Sequence, residues 1–166
     1  VEGDLESIGR RIVRNEPQSD DDILKWLLSL ESIDYASQLH QAVILRLANG
    51  AYVAGVKVEN AAYVGLSAMQ SVIGNAMATF GEIHVEEIFT VSAPRGAVSS
   101  LVYPLPLSAL QTLSEFIDRK PQDIPVTMFS SSRERKTVSL TEAAALMTTY
   151  AAPAYRIEDG QLKRAA

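Results

Sequence analysis

Gln41-Ala42-Val43-Ile44-Leu45-Arg46-Leu47, then Ala48-Asn49-Gly50, then Ala51-Tyr52-Val53-Ala54-Gly55-Val56 is the stretch that decides the fold. Two apolar runs flank an Asn-Gly pair. That pattern predicts two antiparallel strands joined by a type I′ turn, because Asn and Gly are the residues that most readily take positive φ at both central positions.

The segments on either side switch to helical period. Upstream, residues 1–19 are polar, with Leu5, Ile8 and Ile12 spaced for a short helix that Pro17 stops. Ser19 or Asp20 reads as an N-cap, with Asp21 and Asp22 in the first turn. Ile23, Leu24, Leu27, Leu28 and Leu30 then form the apolar stripe of a helix reaching about Ile33. Downstream, Leu66 to Phe80 carries Met69, Val72, Ile73, Ala76, Met77 and Phe80 on one face, closed by Gly81. Glu86 to Ala93 reads as a buried strand ending at Pro94-Arg95-Gly96. A helix from Pro106 to about Asp118 follows, then strands at Ile124–Phe129 and Lys136–Leu140. A final helix opens at Thr141 and Glu142 and ends before Pro153. Strand–helix–strand units with right-handed crossovers place helices against a sheet. The expected fold class is therefore α/β: a mixed five-stranded sheet with helices on both faces, occupying residues 20–155 between the polar segment 1–19 and a tail at 156–166.

Composition narrows the function classes. At 166 residues with a 47% apolar fraction, the chain forms one soluble domain with a continuous core. No apolar run is long enough to span a membrane. The net charge of −5 argues against nucleic acid as a partner, and Arg133, Arg135 and Lys136 read as a solvated hairpin tip. Cysteine is absent, which excludes disulfides, thiolate catalysis and cysteine-based zinc sites. His40 and His84 fall in different elements without metal-ligand spacing, so no metal and no cofactor is expected. The chain begins at Val1 without a signal-peptide pattern, as a processed chain or a domain of a longer one would. The compartment stays open between cytoplasm and an organelle matrix.

The run Gly55-Val56-Lys57-Val58-Glu59-Asn60-Ala61-Ala62-Tyr63 resembles the core of the small homotetrameric cytidine deaminases. Those proteins carry a strand, then Gly-x-Asn-x-Glu-Asn-Ala-x-Tyr, then a helix beginning Cys-Ala-Glu-Arg. Five consecutive residues, Glu59 to Tyr63, match after the hairpin, and the helix motif falls on Ala68-Met69-Gln70-Ser71. The family's second motif, Pro-Cys-x-x-Cys-Arg-Gln, registers on Gln111 and Glu115. Its cysteine positions are then Pro106 and Ala109, or Leu105 and Ser108 after a one-residue shift. The resemblance implies a cytidine deaminase-like three-layer α/β/α sandwich.

It also implies a chemistry that these residues lack. Zinc deaminases use the metal to lower the pKa of water from about 15.7 to about 7, while a glutamate that is not a ligand carries the proton. The corresponding positions, Ala68, Gln70, Pro106 and Ala109, offer neither ligands nor a carboxylate, and Ser71 and Leu110 replace the arginines. The expectation is a catalytically inactive, zinc-free protein. At the implied nucleoside pocket stand Leu39, Lys57, Glu59 and Asn60. Glu59 could hold ribose hydroxyls and Lys57 a phosphate, or Glu59, Asn60 and Tyr63 could simply shape the turn after the second strand. Three readings follow: a structural or regulatory subunit in a homo-oligomer or larger complex, a nucleoside or nucleotide sensor, and a hydrolase using His40 with Ser67, Ser71 or Ser108.

Overall fold

The computed structural model describes residues 12–34, 37–60, 65–146 and 153–165. All five expected strands are present: β2 (Leu39–Leu47), β3 (Tyr52–Val56), β6 (Val85–Pro94), β8 (Pro125–Phe129) and β9 (Arg135–Ser139). A sixth, the two-residue β1 (Val13–Arg14), extends the sheet to the order β1-β3-β2-β6-β8-β9. Every neighbouring pair is antiparallel except β6 and β8, which are parallel. The helix expected near residue 8 lies outside the described residues.

β2 shows why the sheet sits between two helical layers. Its side chains alternate, so Ala42 and Ile44 enter one cluster and Val43, Leu45 and Leu47 the other. The first cluster is closed by α1 (Asp20–Ser29) through Ile23, Leu24, Trp26 and Leu27. Each such buried side chain stabilises the fold by about 2 kcal/mol. Ser19 caps α1 as expected, accepting from the Asp22 N–H at 3.2 Å. The helix stops at Ser29 rather than near Ile33, whose side chain is exposed and whose backbone instead bridges β4 (Val58–Glu59). Arg14 stacks 4.1 Å over the Trp26 ring and ties β1 to this layer.

The opposite face carries α2 (Ala68–Phe80), α3 (Leu107–Leu113) and α4 (Leu140–Ala145). Gly55 lets α2 lie directly on β3, since a Cβ there would meet the Val72 backbone nitrogen at 2.3 Å. Gly81 at φ 76° ends α2 with its N–H on the Met77 carbonyl. β5 (Gly65–Leu66) pairs with β4 before α2 begins, so Leu66 is strand and not helix.

Two turns differ from expectation. In the β2–β3 hairpin only Gly50 has positive φ, at 85°. Its N–H bonds the Leu47 carbonyl at 2.9 Å, while Leu47 N–H reaches Ala51 O at 2.8 Å. This is the three-residue loop with a left-handed glycine, not the two-residue type I′ turn. The presumed tail forms a hairpin of β10 (Tyr155–Glu158) and β11 (Gln161–Arg164) around Asp159-Gly160. It pairs with β7 (Leu101–Val102) and packs Tyr155 and Ile157 against Val102.

Candidate functional site

α2 and α3 pack against each other in the core beneath the sheet. Ala68 and Ala109 are both buried there, in one cluster with Met69, Leu105 and Leu110. Pro106 is the N-cap of α3 and makes no side-chain cap bond. Gln70 is exposed and turns back on its own helix. Its Oε1 accepts from the Ser67 N–H at 3.1 Å, and its N–H donates to the Ser67 hydroxyl at 3.1 Å. That reciprocal pair is a capping box. Ser71 accepts from the Val56 N–H at 3.4 Å.

Beside this core lies a polar layer at the C-terminal end of β6. Gln41 and Ser92, both buried, share a 2.9 Å hydrogen bond, and Thr90 donates to the Ala42 carbonyl at 3.3 Å. The Gln41 carbonyl accepts from the Lys57 N–H at 3.0 Å. The Lys57 and Glu59 side chains, 11% and 19% exposed, form an ion pair at 3.1 Å. Ser37 closes the group: its hydroxyl accepts from Lys57 Nζ at 2.6 Å and donates to Glu59 Oε2 at 3.0 Å. Its backbone N–H also donates to Glu59 Oε2 at 3.0 Å. Burial pushes the Glu59 carboxyl up, but the Ser37 N–H, the Lys57 ammonium and the Ser37 hydroxyl together outweigh it and hold the acid below its ordinary value. Leu39 is half-buried at the start of β2, with its N–H on the Ser37 hydroxyl at 3.2 Å. Asn60 is exposed, and Tyr63 lies outside the described residues.

The structure does not bring His40 to the serines suggested as nucleophiles. On β2 its side chain shares the α1 face with Ala42 and Ile44, and the sheet separates it from Ser71 on α2. Its Nδ1 meets the Ser32 hydroxyl at 2.9 Å and its Nε2 the Leu27 carbonyl at 3.3 Å. Burial lowers the His40 pKa, against the opposing pull of the Leu27 carbonyl and Asp34. His84 sits at the other end of β6, bonded to Asp118 and Glu82.

The sequence matches no family model and no curated protein. Solved structures do match. Cytidine deaminase from Mycobacterium leprae superposes with a TM-score of 0.53 at 20% identity, covering 80% of this chain and all of its own. The enzyme from Burkholderia pseudomallei gives 0.52 at 20% identity, over 68% and 84% of the two chains. That from Mycobacterium tuberculosis gives 0.51 at 17% identity, over 81% and 99%. The chain has the cytidine deaminase fold.

In this fold the resemblance would put a metal between the starts of α2 and α3. The side chains there do not fit one. Ala68, Pro106 and Ala109 carry no donor atom, and their neighbours are apolar. Among the described residues no buried polar side-chain atom is without a partner, and no group of three or more histidines or carboxylates could hold a metal ion.

Ser37 was missed as a site residue. It lies 22 positions from Glu59, and nothing local in the sequence links them. The cytidine deaminase resemblance gives Leu39, two residues on, a place at the implied pocket but gives none to Ser37.

Proposed function

We propose that this chain is a non-catalytic cytidine deaminase-fold domain that serves as a structural or regulatory subunit of an oligomer or larger complex. The observation that carries this reading is the packing of Ala68 and Ala109 into the apolar core, with Gln70 engaged in a helix cap. A metal-bound hydroxide has no ligand set here, and a carboxamide cannot take up a proton at neutral pH. Gly74 supports a role in assembly. It is an exposed interior residue of α2, and a Cβ there would meet nothing within 4 Å. A helical glycine costs about 1 kcal/mol relative to alanine, and the described residues give no packing reason for it. Close approach of a second chain would supply one.

The test supplies zinc and cytidine together. Purified chain incubated with both should retain no stoichiometric zinc and release no uridine. Zinc-dependent uridine formation at an enzyme-like rate would end the proposal.

A second reading, nucleoside or nucleotide binding, draws on the Lys57–Glu59 pair. Both groups already converge on one hydroxyl, that of Ser37, and a ligand hydroxyl would have to displace it. Calorimetric titration with cytidine, uridine and their 5′-monophosphates decides it. Saturable heat abolished by Glu59→Ala supports a sensor, and no heat at millimolar ligand removes it.

A further inference from the structure

On the α1 face, away from the α2–α3 core, a groove of about 860 Å³ runs between the end of α1 and the end of β6. Ligand pockets span about 300–1,000 Å³. Its walls include Leu28, Ile33, Pro94 and Val98. Leu28, Ile33 and Val98 are three of the large apolar side chains that the chain leaves exposed, Val98 at 81%.

One charge in the groove is built in. Asp34 is 1% exposed, and its Oδ1 holds Arg95 Nη1 at 2.9 Å while the arginine side chain remains 62% exposed. The backbone reinforces the placement: Arg95 N–H donates to the Gln38 carbonyl and Gln38 N–H to the Asp34 carbonyl, both at 2.9 Å. Gln38 takes a left-handed φ of 53° to make both bonds. Strain of this kind persists where surrounding structure over-determines it, and it concentrates at sites with a task. Ser131, accepting from the Ser99 N–H at 2.8 Å, fixes the loop that carries Val98. The remaining guanidinium N–H groups of Arg95 have no hydrogen-bond partner among the described residues.

We propose that this groove binds a small monocarboxylate with an apolar body, its carboxylate on the free edge of Arg95 and its body against Leu28, Ile33 and Val98. A guanidinium fixed on one side by a buried acid is pre-oriented for bidentate recognition on the other. The charge balance selects one negative charge over two. The lining sets two carboxylates, Asp34 and Glu31, against the Arg95 guanidinium, so one ligand charge must rely on its direct bonds to Arg95 and a second would only add repulsion. The site uses none of Ala68, Gln70, Pro106 or Ala109, so it stands or falls independently of the non-catalytic reading.

The experiment titrates isotope-labelled full chain with octanoate, its neutral amide octanamide, and octyl phosphate, following backbone amide shifts. Octanoate should move the Ala93–Val98 and His40 signals saturably and bind about tenfold tighter than octanamide, the scale of one charged hydrogen bond. Arg95→Gln should erase that difference. Val98→Asp, at an exposed position that does not threaten folding, should weaken octanoate about tenfold by charge repulsion and lost contact. Equal binding of acid and amide would overturn the proposal, as would shifts confined to other surfaces. Tighter binding of octyl phosphate than octanoate would overturn the ligand class.

Discussion

The Lys57–Glu59–Ser37 cluster carries the sharpest consequences at the scale of single residues. Lys57 is 11% exposed and its ammonium is neutralised by Glu59. Glu59→Gln leaves that largely buried charge without its counter-ion. We expect a loss of about 2 kcal/mol in urea unfolding, below the range for fully enclosed pairs because both ends touch solvent. Because the folded Glu59 is a stronger acid than the ordinary 4.5, its contribution is present above that pH and disappears as pH falls through the folded value. The Glu59→Gln chain should therefore show a flatter acid limb. His40 acts in a different window. Burial lowers its pKa below the ordinary 6.5, so the unfolded chain binds its proton first on acidification. Stability is fully present above that value and declines below it. Thermal melts from about pH 7.5 to about pH 5.5 should slope less for His40→Gln than for the parent. An unchanged slope would mean that His40 titrates alike in both states.

At the scale of elements, the contact between β3 and α2 brings backbone against backbone, with no room for a methyl group. Gly55→Ala would drive a Cβ into Val72. The expected cost is about 3 kcal/mol, at the upper end of overpacking effects, read as a lowered urea midpoint. The start of α2 permits the opposite prediction. Glu in place of Gln70 keeps the capping box and adds a negative charge near the positive helix end. Gln70→Glu should raise stability by about 0.5 kcal/mol and yield no cytidine deamination, since Ala68, Pro106 and Ala109 still provide no ligand. Deaminase activity in that variant would contradict the proposed function. These elements also show what the sequence could and could not reveal. Strands β2, β3, β6 and β8 were legible because their apolar runs are bounded by Gly, Pro and Asn, and Ser19 declared the start of α1. The turn after Leu47 was misread because Asn-Gly serves two hairpin types, and only φ at Asn49 separates them. β10 and β11 were overlooked for a related reason. Arg156, Glu158, Gln161, Lys163 and Arg164 look like a charged tail until Asp159-Gly160 is recognised as a turn between alternating strands. The paired Asp34 and Arg95 stand 61 positions apart, and a partnership of that separation leaves no periodic trace.

For the whole molecule, assembly is the property to measure. If α2 meets a second chain through its outer face, Gly74→Glu should dissociate the oligomer in analytical ultracentrifugation while leaving the circular dichroism spectrum unchanged. The variant remaining at the parent's mass would remove Gly74 from the interface. The same substitution in a chain already monomeric should raise stability by about 0.5 kcal/mol, since Glu is the better helix former and a Cβ there meets nothing within 4 Å.

The ends of the main sheet limit what such an assembly can look like. One end is β1, only two residues long and held down by Arg14 on Trp26. The other is β9, which carries Arg135 and Lys136, with Arg135 tethered to Asp20 at 3.1 Å. Short and positively charged border strands resist the addition of a neighbour's strand. Copies of this molecule cannot readily stack border to border into an endless ribbon. Growth of the six-stranded sheet by addition of a further strand is thus opposed at both of its borders.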